Sequence, residues 1–324
     1  MQENPEKNLA NSTIIEDKLV FVRYNKDVEN YHLAKKEHRK IMIRILSDST
    51  CDLSPALIEK YGIGIIPLNI VLDGKSYEDG LDITPDKIYA WADENKTVPK
   101  TAACAPGRVK EIFERYLKDG DEIICFSISA SMSSTNDIMR AVAQETGAKD
   151  RISIINSQSL STGVGLQVIT AAEMAQSGMK REKIVEEVKK LRSRVSASFV
   201  VDTLTYLHRG GRCSGVSALL GATLRIHPQI NVIDGKMLPG QKYRGKMHKV
   251  IAEYTKDQLD EMKKARKNHV FITHSGCDQK MIDAALEQVK ALNYFDEIHI
   301  TRAGGVISSH CGPGTLGVLY IRGE

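Results

Sequence analysis

The chain has 324 residues, 42% of them apolar, enough for two domains and a sizeable core. Its net charge of +4 comes from balanced acids and bases scattered over helix-like segments, and only 6% of residues are aromatic, so the pattern calls for no nucleic-acid surface. The six cysteines form no C-x-x-C pair, so neither a zinc site nor a disulfide scaffold is indicated, and no apolar run reaches the roughly 18 residues of a membrane span. These features read as a cytoplasmic, soluble protein with reduced thiols and neither metal nor cofactor.

Residues 1–41 are polar and differ from the rest of the chain; they read as an N-terminal extension, either an extra helix or a disordered tail, with Met42 as an alternative start. From there the texture alternates. "MIRILSD" predicts a buried strand, and "SPALIEKYG" a helix with Ser54 as N-cap and Pro55 at its first position. "IGIIPLNIVLDG" predicts a strand pair or one long strand, and "TPDKIYAWADEN" a helix with the same Thr-Pro opening. A loop "KTVPKTAACAPG" precedes a helix from "RVKEIFERYLKDG", then come strand "EIICFSIS", a helix near "STNDIMRAVAQET", strand "RISIINS" and helix "GLQVITAAEMAQSG". Strands separated by helices of this length indicate an α/β fold with a parallel sheet, over residues 42–200.

The second part, 201–324, reads as an α+β domain. "SASFVVDT" at the boundary, "INVIDGKMLPGQKYRG", "HVFITHSG", "EIHITRAGGVISSH" and "TLGVLYI" are strand-like, with a hairpin turn at Asp234-Gly235 and helices over 247–267 and 278–292.

Ligands of an open parallel sheet bind beyond the carboxyl ends of its strands. Three segments expected there are rich in hydroxyls: "SDSTCD" (47–52), "SISASMSST" (127–135) and "NSQSLSTGVG" (156–165). Single serines at such turns are commonly N-caps, but the density of "SMSST" exceeds what capping needs. Asp48 and Asp52 lack the D-x-D spacing of a phosphotransfer pair, and no nucleophile elbow or phosphate-binding lysine loop occurs. Gly312, Gly314 and Gly317 satisfy G-x-G-x-x-G, but a strand follows them instead of a crossover helix, so no dinucleotide site is read there. In "LHRGGRCSGVSALLGATLRIHPQI" (207–230), a Gly-Gly bend lets Arg209 and Arg212 project, and a small-and-aliphatic run comes after it that can pack in the core or line a hydrocarbon slot.

Taken in order, "DSTCDL", "PKTAACAPG", "SISASMSST", "NSQSLSTGVG", "LTYLHRGGRCS", "LRIHPQI", "YRGK" and "SHCGPGTLGV" resemble the DegV family of fatty-acid-binding proteins over residues 42–324. The resemblance implies a two-domain fold, an N-terminal parallel sheet with flanking helices and a C-terminal α+β domain, with one long-chain fatty acid of the palmitate, stearate or oleate class enclosed between them. It also implies a carrier without catalysis of its own, which presents the acid to a separate dihydroxyacetone-kinase-like fatty acid kinase for acyl-phosphate formation in phospholipid metabolism. A monomer is expected, compatible with transient membrane contact. Transferred by motif, Thr101, Ser133 and His310 would hold the carboxylate, with Ser134 and Thr135 beside them, while Arg212 and Arg244 would face the kinase or the nascent phosphate. Leu219, Leu220, Ala222, Leu224 and Ile226 would line the acyl chain, and Gly312 and Gly314 would turn His310 toward the head group.

The chain departs from the family pattern at Ala102, where the family carries serine, at Ser134, where it carries glycine, and at His227, where a lysine is common. The rival reading is a serine hydrolase or acyltransferase with Ser133 as nucleophile and His310 as base, for which the sequence offers no orienting acid.

Overall fold

The computed structural model describes residues 41–118, 120–213, 215 and 226–324. Ile43–Glu324 form one unit.

β1 (Ile43–Asp48) is buried over its last four residues, on both faces, and it lies inside a parallel sheet. It pairs with β2 (Gly64–Ile66) and β6 (Glu122–Ser127), and β6 with β7 (Ile152–Asn156), in the order β2-β1-β6-β7. The connections within the sheet run through α1 (Pro55–Tyr61), α2 (Pro85–Asn95), α3 (Pro106–Leu117) and α4 (Thr135–Glu145), and α5 (Thr162–Gln176) leaves it after β7. Ser54 caps α1 through its hydroxyl, which accepts from Leu57 N at 3.3 Å, as the Ser-Pro signal predicts. The same Thr-Pro signal at Thr84 starts α2 without a side-chain cap bond, leaving Pro85 as the starter.

Pro67 cannot donate to a ladder, so "IGIIPLNIVLDG" divides into β2 and β3 (Asn69–Leu72). β3 pairs antiparallel with β4 (Lys75–Glu78) and with β5 (Lys100–Ala102). The segment 96–107, expected as loop, therefore contains a short strand: Ile70 and Thr101 are ladder partners.

The remaining strands are β8 (Val195–Val200), β9 (Ile226–Ile233), β10 (Lys236–Arg244), β11 (Ala265–Ser275), β12 (Glu297–Arg302) and β13 (Thr315–Arg322). They form one six-stranded sheet, β10-β9-β8-β13-β11-β12. β8 falls before residue 200, yet it lies in the middle of this sheet, between β9 and β13. Helix α6 (Arg181–Leu191) precedes β8, and α7 (Thr205–Gly210) comes after it. The Asp234-Gly235 hairpin is present, with φ of +50° and +77°.

Two expectations change. The helix over 247–267 is two, α8 (Met247–Lys256) and α9 (Leu259–Met262), and it ends early because β11 already starts at Ala265; α10 (Gln279–Ala291) matches its prediction. "EIHITRAGGVISSH" is strand only to Arg302; Gly304-Gly305 breaks it and begins α11 (Gly305–Cys311). α11 packs on α2, β3 and β5, so this late helix meets elements from the first hundred residues.

Candidate functional site

The three hydroxyl-rich segments do lie at the carboxyl ends of β1, β6 and β7. The first is a buttress. The buried Asp48 carboxylate accepts from Thr50 N, Thr50 Oγ1 and, at 2.7 Å, Ile128 N, pinning the second loop to the first. Burial raises its pKa to about 6 against those bonds. Asp52 accepts from Ser161 Oγ at 2.5 Å and Gly304 N at 2.8 Å, and burial raises its pKa to about 8. Asp79, which sequence reading did not single out, accepts from Gly305 N at 2.7 Å and Val306 N at 3.3 Å. Asp52 and Asp79 thus take the free N–H groups that open α11 and fix the direction of a helix whose far end carries His310.

His310 Nε2 lies 2.8 Å from Thr101 Oγ1, a bond that spans 209 positions of sequence. Its Nδ1 is buried without a partner among the described residues and rests against Gly210, where a Cβ would collide with it. Burial first, then the charge of Arg212, lowers the imidazole pKa to about 4, so His310 is neutral at pH 7. Gly312 ends α11 at φ +74° and ψ 170°, a conformation only glycine adopts readily, and a Cβ there would stand 2.6 Å from the Tyr206 ring. Gly312 O accepts from Ser275 Oγ, and Gly314 N donates to Ser275 O at 3.0 Å. The glycines therefore turn the chain out of α11 toward β13, downstream of His310.

Thr101, Ser133, Ser134, Arg212 and His310 line one cavity of about 330 Å³. Its other walls are mostly apolar: Leu68, Ile128, Met132, Leu160, Met237 and Ile307 are among them. A second, much smaller space of about 30 Å³ shares the walls Leu160, Ile307 and Cys311 with it and is also lined by Phe199 and Leu319 of the six-stranded sheet. The hairpin carrying Met237 is tied to the second hydroxyl loop by Ser129 Oγ, which donates to Gly235 O at 2.7 Å.

Other expected residues stand elsewhere. Thr135 is buried behind Ser133, their hydroxyls 2.9 Å apart, and Ser133 Oγ accepts from Thr135 N, so Ser133 serves the start of α4 as well as the cavity wall. Arg244 is exposed on β10 opposite Ile226, and neither lines the cavity. Leu219, Leu220, Ala222 and Leu224 lie outside the described residues. His227 is buried on β9 with its two nitrogens 3.2 Å from Val201 O and 3.1 Å from Gly245 O, a brace between strand ends.

The geometry disfavours the hydrolase arrangement. His310 Nε2 faces Thr101, not Ser133, and among the described residues no carboxylate orients Nδ1. The neighbouring thiols are equally unsuited to attack: burial pushes Cys104 up to about 12 and raises Cys311 as well. What the cavity offers is hydroxyl, imidazole and guanidinium groups together with mostly apolar walls.

Sequence reading missed Met132, Leu160, Met237 and Ile307 as lining residues. The first two lie inside the quoted hydroxyl loops, where apolar residues at strand ends were the available signal; Met237 and Ile307 had none.

The chain matches the family model described as uncharacterised protein, DegV family, over residues 42–323. It is 33% identical over 287 residues to a DegV domain-containing protein of Caldanaerobacter subterraneus subsp. tengcongensis, a match covering 86% of this chain and 98% of that one. Among solved structures it is similar to one described as fatty acid binding of a DegV family protein from Thermus thermophilus, at 30% identity and a TM-score of 0.80, over 87% of this chain and 100% of that one. A stearic acid-binding protein from Eubacterium ventriosum aligns at 26% identity and a TM-score of 0.77, over 87% of this chain and 98% of that one. With the family model spanning nearly the whole of the described body and the fold shared throughout, the chain belongs to the DegV family.

Proposed function

We propose that this protein binds one long-chain fatty acid of the palmitate, stearate or oleate class, with its carboxylate held by Thr101, Ser133, Arg212 and His310. The single observation that carries the reading is the cavity lining: Thr101, Ser133, Arg212 and His310 share one cavity of about 330 Å³ with mostly apolar walls. The Thermus thermophilus relative, whose description names fatty acid binding, supports it.

The physical balance favours a carrier. Burying a chain of roughly sixteen carbons at about 0.8 kcal/mol per methylene supplies on the order of 10 kcal/mol before ordering costs, so the tail provides most of the affinity. The head must then be paired, because an isolated buried carboxylate is very costly. Arg212 offers the charge and the neutral His310 and hydroxyls offer donors, so the acid is held without its oxygen being consumed in a bond to the protein. The chain then acts as a cytoplasmic, monomeric carrier without catalysis or cofactor of its own, presenting the carboxylate to a separate dihydroxyacetone-kinase-like kinase. Exposed Arg244, with Arg212 at the cavity, marks the side for that partner or for the nascent phosphate.

Organic extraction of the purified protein with lipid mass spectrometry, paired with native mass spectrometry, tests the binding reading. One fatty acid per chain is expected; a chain that is empty and also resists loading with palmitate and oleate overturns it.

A further inference from the structure

Strands β11 and β12 run parallel with His269 opposite Glu297 and Phe271 opposite His299. Side chains two apart on a strand share a face, so His269, Phe271, Glu297 and His299 stand together on one side of the sheet. One ligand atom from each of His269, Glu297 and His299 lies within 4.8 Å of the others. His269 Nδ1 and His299 Nε2 are 3.0 Å apart, and His299 Nε2 is 3.6 Å from Glu297 Oε2. A tetrahedral zinc ion with bonds of about 2.0–2.1 Å places its ligand atoms about 3.3 Å apart, between these two separations.

The surroundings fit the same reading. His269 is buried, and its other nitrogen, Nε2, lies 2.9 Å from Glu173 Oε1 of α5, which also accepts from Tyr61 OH at 3.2 Å. A carboxylate on the far nitrogen holds the proton there and leaves Nδ1 as a lone pair directed at His299, the arrangement that orients metal-bound histidines. The His299 ring is stacked on Phe271 with centroids 4.6 Å apart, which fixes its plane. Without a cation the two facing ring nitrogens can share only one proton; a cation would satisfy both lone pairs. One group opposes it: Lys60 Nζ sits 3.0 Å from Glu297 Oε1 and 3.3 Å from Oε2. That contact is exposed, and the ammonium can withdraw into solvent.

We propose that His269, His299 and Glu297 form a three-ligand site for a divalent cation of the zinc class, with Glu173 positioning His269 and water completing the coordination. The cation would clamp the edge strand β12 to β11. Imidazole with one carboxylate suits a borderline cation better than calcium or magnesium, which prefer all-oxygen sets. The site shares no residue with the acyl cavity and does not depend on its assignment.

The test uses the untagged full chain, stripped with a chelator and titrated with Co²⁺, then with Zn²⁺. One Co²⁺ per chain is expected, with a visible spectrum free of thiolate charge transfer, displacement by Zn²⁺ and a raised melting temperature. His299→Gln should remove binding, and Glu173→Gln should weaken it by about 10- to 100-fold with the stoichiometry kept. Lys60→Ala, which retains every ligand, should tighten it. No cobalt spectrum, a thiolate band, or binding unchanged in His299→Gln overturns the proposal. Should His299→Gln fail to fold, Lys60→Ala decides, because unchanged or weaker affinity there is equally fatal.

Discussion

His310 is neutral in a place where its own position and a nearby cation both work against protonation. Burial contributes most and Arg212 second, and together they bring the imidazole pKa down to about 4. Arg212→Ala should therefore raise the His310 pKa toward the ordinary imidazole range, as read by NMR titration of the ring. The same change should weaken fatty-acid binding by about 10- to 100-fold, the span of a lost charge-assisted hydrogen bond. A His310 pKa that stays put in Arg212→Ala would separate the two groups and remove Arg212 from the head-group site. Asp52 presents the opposite sign. Its folded pKa of about 8 lies above the ordinary 3.8, so the folded chain keeps a proton that the unfolded chain has released. Its stabilising share is whole below pH 3.8 and is lost as pH rises through about 8. Asp48, raised only to about 6, completes its share lower in that window. Urea midpoints measured across this range should fall with pH in the wild-type chain and fall less steeply in Asp52→Asn, whose side chain is neutral throughout. Parallel slopes in the two proteins would rule out the protonated carboxyl.

At the scale of elements, α11 is short, and both its ends are fixed by tertiary partners rather than by propensity. Asp52 and Asp79 take the amides at Gly304, Gly305 and Val306, while Gly312 and Ser275 end the helix. A seven-residue helix is marginal alone, so the clamps decide whether His310 meets Thr101. Gly312→Ala combines a backbone conformation costly for any other residue with a collision against Tyr206. It should destabilise the fold by roughly 2–3 kcal/mol in urea denaturation. It should also lower fatty-acid affinity, because the end of the helix must shift. A variant with wild-type stability and affinity would show that the turn does not position the site.

For the whole molecule, the cavity lies where elements of three sheets converge: Thr101 comes from β5, Ser133 lies beyond the end of β6, and Met237 belongs to β10. A ligand filling it joins these parts and should stabilise them together. The delipidated chain is expected to melt below the loaded one, and palmitate at about one hundred times its dissociation constant should restore about 2.7 kcal/mol. A melting temperature indifferent to palmitate would argue that the acid lies outside this cavity. Among the described residues no helix is long and apolar enough to cross a membrane.

The parallel sheet, most of the helices, the Asp-Gly hairpin and the hydroxyl loops at strand ends were legible because each rests on neighbours in sequence: a periodicity, a cap or a turn pair. Local cues failed where elements change role within a few residues, as in "EIHITRAGGVISSH", where two glycines convert a strand into a helix, and in "KTVPKTAACAPG", whose three-residue strand exists only because β3 lies beside it. The family motifs indicated Thr101, Ser133 and His310, but no local pattern shows that Thr101 bonds His310 or that Asp79 opens its helix. The pair of histidines, His269 and His299, stands 30 positions apart with no motif between them. Sequence neighbours are held by the short chain that joins them, and their pattern can be read directly; partners hundreds of positions apart become neighbours only when burying the apolar faces drives the sheets and helices together, and that packing sets every distance in the site.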